Sequence, residues 1–136
     1  MSVKEIMTHR PFTLGMDRTL ADIKALFDRR HIHHVLVIEQ EKLVGVVSDR
    51  DLLKHLSPAL GTAAQTTKDL ATLNKKAHQI MSRDLKVLYE KDDILDAIRL
   101  FNEHSISCLP VVNDKFHPIG IVSWRDVLKT MTKAIS

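Results

Sequence analysis

The chain is written twice. Ile6-Met7-Thr8 returns 74 residues later as Ile80-Met81-Ser82, and at the same offset Leu20, Asp22, Leu26, Phe27, Ile32 and Val37 return as Ile94, Asp96, Leu100, Phe101, Ile106 and Val111. One residue is inserted near His117. Beyond it, the run from Gly45 to Lys54 returns as Gly120 to Lys129, with nine of ten positions kept or conservatively replaced. A repeat constrains architecture more than any single motif, because it demands the same supersecondary unit twice and a way for the copies to bury each other's apolar faces. The copies are read as 1–57 and 79–136, with 58–78 as a loop and helix between them. One copy of about 55 residues is marginal alone. The expectation is therefore two copies packed sheet to sheet over a shared core.

Each copy has one plan. Leu20, Ile23, Leu26 and Phe27, and again Ile94, Ala97, Ile98 and Phe101, recur at helical spacing. The spacing predicts helices over 19–30 and 93–104, with Asp17 and Asp92 or Asp93 as N-caps. Val35-Leu36-Val37-Ile38 and Leu109-Pro110-Val111-Val112 are short apolar runs typical of strands, and polar turns lead from them to second strands over 43–47 and 119–122. A helix follows each hairpin, from Asp51 and from Asp126, and a short extended segment precedes each plan near Phe12–Leu14 and Lys86–Leu88. The fold class is mixed α/β, two β-α-β-β-α repeats. In the connector a helix is expected around Thr67–Lys76.

Composition narrows the function. With 136 residues, 44% apolar and 27% charged, the chain is an ordinary globule. Aromatics at 4% argue against a base-stacking platform for single-stranded nucleic acid. The net charge of +3 arises mostly in the connector, where Lys68, Lys75 and Lys76 face Asp69. Neither repeat carries the phosphate-neutralising stripe of a nucleic-acid binder. The connector lysines read as a solvated helix face, or else as a docking site for an acidic partner. A single cysteine, Cys108, suits a reducing cytoplasm. No apolar run has the length of a membrane span, and the first residues lack the apolar stretch of a secretory signal.

The chemistry lies in the best-kept string: Gly, two apolar residues, Ser, any residue, Arg, Asp, then a helix. A strand ending at a helix N-terminus presents unpaired N–H groups and a positive dipole end, which attract phosphate. Ser48 and Ser123 offer a hydroxyl, and Arg50 and Arg125 a charged fork for phosphate. Asp51 and Asp126 offer a carboxylate that fits two vicinal ribose hydroxyls. Ser-x-x-Asp is also a capping box, in which both residues serve only the helix start. Capping alone requires neither the Gly nor the Arg, and both recur.

These motifs resemble the CBS domain, the module named after cystathionine β-synthase, in a tandem pair. The resemblance rests on Gly45, Ser48 and Asp51 with Gly120, Ser123 and Asp126, on the opening Ile-Met-Thr/Ser, and on Ile106-Ser107-Cys108-Leu109-Pro110-Val111-Val112. It covers the chain except 58–78. The first repeat departs from it, with Leu36 where the Pro would stand, so the second is the better match. The resemblance implies two repeats packed as a pseudo-twofold pair. It implies a regulatory adenosyl ligand in clefts between them: AMP, ADP or ATP, or S-adenosylmethionine or NAD. Asp51 and Asp126 would then hold ribose, with Ser48, Arg50, Ser123 and Arg125 beside phosphate. Adenine would meet Met7, Thr8 and Pro11 in one cleft and Met81, Ser82 and Leu85 in the other, with Val35, Leu36, Leu109 and Pro110 lining the base pockets. Ligand binding would change how the repeats pack and so signal to a regulated protein that the sequence does not name. The resemblance also implies a homodimer through helical faces, drawing on apolar residues of 20–27 and 94–101 that the core leaves over.

No nucleophile-base set, metal motif or P-loop points to an enzyme or to a required cofactor. His31 and His33 are expected on one strand face with His34 opposite, and no acid or cysteine at ligand spacing completes a metal set. Met7, Met16, Met81 and Met131 read as core or interface filler, and Cys108 as a small buried or cleft-lining residue. Trp124 stands where the first repeat has Asp49, so the two sites differ in charge; Trp124 would cover a ligand or pack at an interface. The competing function is a scaffold in which the serines only cap helices. A nucleic-acid binder working through the connector lysines is a third reading, disfavoured by the charge balance.

Overall fold

Side-chain caps decide where the helices start. A computed structural model of the chain describes residues 1–135. Its elements are α1 (Val3–Ile6), β1 (Thr8–His9), β2 (Thr13–Gly15), α2 (Leu20–Arg30), β3 (His34–Glu39), β4 (Lys42–Ser48), α3 (Asp49–His55), α4 (Thr67–Ala71), α5 (Ala77–Ile80), β5 (Leu88–Tyr89), α6 (Ile94–Glu103), β6 (Cys108–Val112), β7 (Pro118–Ser123) and α7 (Trp124–Ile135). Helix α2 is capped by Thr19 rather than Asp17: Asp22 N–H donates to Thr19 Oγ1, and Thr19 N–H to Asp22 Oδ2, both at 3.2 Å. A cap must directly precede the first helical turn to reach its N–H groups, and Asp17 lies too far upstream. Asp93 caps α6, accepting from Leu95 N–H at 3.0 Å.

The compact units of the fold are not the sequence copies. One unit holds Met1–Pro11, Glu41–Leu43 and the chain from Lys86 onward; the other holds Phe12–Gln40 and Val44–Leu85. The chain passes from one unit to the other between 11 and 12 and again between 85 and 86, positions 74 apart. The opening segment of each copy thus folds with the body of the other. In the first unit Val3 N–H donates to Asp92 O (2.8 Å) and Ile94 N–H to Met1 O (2.9 Å). In the second, Ala77 N–H donates to Arg18 O and Leu20 N–H to Lys75 O, both at 2.8 Å. The two pairings are the same junction made twice.

In the first unit the sheet order is β1-β7-β6-β5, with β1 antiparallel to β7 (Thr8 opposite Ile121) and β5 parallel to β6. In the second the order is β2-β3-β4, with β2 parallel to β3, and Ser82 bridges Val46 in the place that Thr8 holds in the other sheet. Each unit has its own buried cluster. Val3 and Met7 close the one around Leu88, Phe101, Leu109, Val111, Val122 and Val127. Ala77, Ile80 and Met81 close the one around Leu20, Ile23, Phe27, Val35, Val37 and Val47. Burying such a side chain contributes roughly 1.5–3 kcal/mol, so the exchanged segments are part of the stability of the unit they join.

The connector is more broken than its composition suggests. Helix α4 stops at Ala71, and Thr72–Asn74 tighten into a 3-10 turn. There the Thr72 hydroxyl donates back to Asp69 O at 2.7 Å. The second copy's opening helix, α5, already starts at Ala77. His31 ends α2 in the left-handed conformation at φ 53° and so stands outside the strand that begins at His34, which removes the expected shared face with His33.

Candidate functional site

Each repeated string folds into a strand that runs into a helix through its serine. Ser48 is extended (φ −94°, ψ 165°) and caps α3. Asp51 N–H donates to Ser48 Oγ at 3.0 Å, and Ser48 N–H donates to Asp51 Oδ2 at 2.9 Å. At the second junction Asp126 N–H donates to Ser123 Oγ at 3.2 Å and Ser123 N–H to Asp126 Oδ2 at 2.8 Å; the Ser123 hydroxyl also donates to Asp126 Oδ2 at 3.0 Å. The capping box is therefore present twice. Only one carboxylate oxygen of each Asp serves it. Among the described residues Oδ1 of Asp51 and of Asp126 makes no hydrogen bond, and both residues are half-buried. Arg50 and Arg125 are exposed, and among the described residues neither guanidinium forms an ion pair.

The glycines of the string serve packing. Gly45 and Gly120 lie within β4 and β7, not at their starts, and both are buried. A Cβ at Gly45 would collide with the Met81 side chain, 2.7 Å from Cγ, and one at Gly120 would collide with Met7, 2.8 Å from Cγ. Each opening Ile-Met-Thr/Ser thus meets the Gly of the other copy's string. Met7 and Met81 are core residues, 6% and 7% exposed, as are Val35, Leu36, Leu109 and Pro110. Of the residues expected to meet adenine, Thr8 and Ser82 are exposed, and Pro11 and Leu85 half-buried. The first unit gathers Met7, Thr8, Pro11, Leu109 and Pro110 with Ser123, Arg125 and Asp126; the second gathers Val35, Leu36, Met81, Ser82 and Leu85 with Ser48, Arg50 and Asp51.

The surroundings of the two junctions differ. At the first, His33 Nδ1 lies 2.8 Å from Asp49 Oδ2. Next to it His34 is half-buried, and burial holds its imidazole below the ordinary range against the pull of Asp49 and Asp51. Cys108 occupies the matching place in the second copy, where burial pushes its thiol up to about 12. Trp124 stacks on Phe101, with ring centroids 4.7 Å apart. Sequence reasoning missed the His33–Asp49 pair and this stack, because neither follows from spacing along one element. Among the described residues no three of His, Cys, Asp and Glu gather as a metal site, and no helix is long and apolar enough to cross a membrane.

The sequence matches the CBS domain description over residues 3–58 and 77–133, the two strings and their opening segments included. The chain belongs to the CBS domain family. Its fold is that of solved CBS pairs. The Arabidopsis thaliana protein CBSX2, solved in complex with AMP, is 26% identical, with a TM-score of 0.81 over 99% of this chain and 98% of that one. The CBS pair of protein MJ0100, solved with 5′-methylthioadenosine and S-adenosylmethionine, is 25% identical, with a TM-score of 0.77 over 96% and 99%. A CBS domain-containing protein of Dictyostelium discoideum is 27% identical over 98% of this chain and 92% of its own length. The chain spans only part of other curated relatives. It covers 38% of an uncharacterized protein of Methanocaldococcus jannaschii and 21% of a homoserine O-acetyltransferase of Methanosarcina acetivorans, to which it is 30% identical. Likeness to that enzyme resides in a CBS region making up about a fifth of it.

Proposed function

We propose that this CBS pair is a regulatory, non-catalytic module that binds an adenosyl ligand at its two strand-to-helix junctions. The ligand class is AMP, ADP or ATP, with S-adenosylmethionine or NAD as further members. Asp51 and Asp126 hold the ribose diol, and Ser48, Arg50, Ser123 and Arg125 stand at the 5′ substituent. One observation carries this reading: each Asp spends one oxygen on its capping box and keeps Oδ1 unbonded among the described residues. Capping and ligand binding thus use different atoms of one carboxylate. The AMP complex of CBSX2 and the complex of MJ0100 with two adenosyl compounds support the ligand class.

Regulation requires that the ligand favour one conformation over another, since only differential affinity shifts a population. The regulated protein is not named by the sequence, and the lone thiol suits a reducing cytoplasm. The proposed homodimer is supported by α7, where Trp124, Leu128, Met131 and Ile135 form an exposed apolar stripe. The helices first expected to supply that face spend Leu20, Ile23, Phe27, Ala97 and Phe101 in their own cores. The same stripe favours the scaffold as the second reading.

Calorimetric titration with AMP, ADP, ATP and S-adenosylmethionine tests the proposal. Asp51→Asn and Asp126→Asn keep an acceptor for the cap but lose the charge, so each should remove binding at its own junction while the fold persists. Absence of binding by all four ligands at millimolar concentration leaves the scaffold.

A further inference from the structure

The two junctions share their Ser, Arg and Asp but differ in several groups beside them. The residue after the capping serine is Asp49 in one and Trp124 in the other. Asp49 stands in the first turn of α3, between Ser48 and Asp51. Its partner is the imidazole of His33, 2.8 Å away and exposed. Burial lowers the pKa of the other imidazole nearby, His34, although Asp49 and Asp51 both favour its charged form. Two carboxylates thus stand at this junction, with the Arg50 guanidinium and the His33 imidazole beside them. The second junction has one carboxylate, Asp126, against Arg125, and an uncharged indole and thiol at the matching places.

We propose that Asp49 is a specificity-determining residue that sets the first junction against phosphate, so that it takes an adenosyl ligand whose 5′ substituent is not anionic while phosphate-bearing ligands go to the second. The inference rests on the ligand-binding reading above and adds which ligand chemistry each junction accepts. The physical cause is one like charge beside the place a phosphate would occupy, a penalty that salt screens.

The test compares AMP with 5′-methylthioadenosine, which share adenosine and differ in the charge of the 5′ group. Titrations on the full chain carrying Asp126→Asn report the first junction alone. Adding Asp49→Asn should raise AMP affinity about fivefold, the scale of one unit charge acting across partly solvated surface. It should leave 5′-methylthioadenosine unchanged. Asp49→Glu, which restores the charge, should return AMP to its weaker binding, and raising the salt concentration should shrink the gain. AMP affinity that ignores both Asp49 variants, while 5′-methylthioadenosine binds, overturns this inference and leaves the ligand-binding reading intact. Failure of both compounds to bind even the unmodified chain overturns that reading and this inference with it.

Discussion

The side chain of Met81 lies over Gly45, so that a Cβ at position 45 would come within 2.7 Å of Met81 Cγ. This contact ties the opening segment of one sequence copy to the signature string of the other. Met7 and Gly120 repeat it in the other unit, with one difference: a Cβ at Gly120 would also meet the backbone oxygen of Thr8 at 3.0 Å. A side chain can move aside, whereas a backbone oxygen held in a strand pair moves only with the strand.

Gly45→Ala and Gly120→Ala should each destabilise the fold by about 1–3 kcal/mol, the usual cost of overpacking a core. Met81→Ala should itself be destabilising but should recover much of the Gly45→Ala cost, giving a clear coupling energy in a double-mutant cycle. Met7→Ala should rescue Gly120→Ala less, because the Thr8 oxygen stays in place. Denaturant unfolding of the two cycles checks the order.

The two-residue turn Gln40-Glu41 between β3 and β4 has both residues at positive φ, 50° and 68°. This backbone favours Asn or Gly, and neither side chain present suits it. Glu41→Gly should therefore raise stability by about 1 kcal/mol, read as a higher denaturation midpoint with an unchanged slope.

Burial lowers the pKa of His34 below its ordinary 6.5. The unfolded chain then binds more protons than the folded one just below that value, and stability falls as pH drops through about 6.5 toward the folded value. Melting curves between about pH 8 and pH 5 should show this loss. His34→Gln, which cannot take up the proton, should show a shallower slope over the same window.

With its thiol pushed up to about 12, Cys108 carries almost no thiolate near neutral pH and is buried in β6. A thiol reagent should label the folded protein slowly and the denatured protein at once. Fast labelling of the native chain would contradict the burial of β6.

Much of this was legible in advance where the signal is local. Apolar spacing found α2 and α6 and the strand runs, and the Ser-x-x-Asp strings marked α3 and α7, which start at Asp49 and Trp124, two residues ahead of the expected Asp51 and Asp126. The N-cap of α2 was misplaced because several polar residues precede Leu20, and only the backbone geometry shows that Thr19 reaches the first turn. The triple-histidine run misled in the same way: it reads as one strand, but His31 terminates a helix.

The sequence by itself determined that one unit is built twice, that its best-kept strings lie at Ser48–Asp51 and Ser123–Asp126, and that these strings cap helices. It determined so much because repeats, periodicity and capping act over a few neighbouring residues. Only the tertiary structure decided that the opening segments fold with the opposite copy's body, that the glycines make room for methionines, and that Asp51 and Asp126 each keep one oxygen unbonded among the described residues. Those outcomes depend on groups brought together from about 35 to more than 110 residues apart, such as Gly45 with Met81 and Thr8 with Ile121. Contacts at such separations are selected by how well whole surfaces pack, and no local pattern in the chain records that.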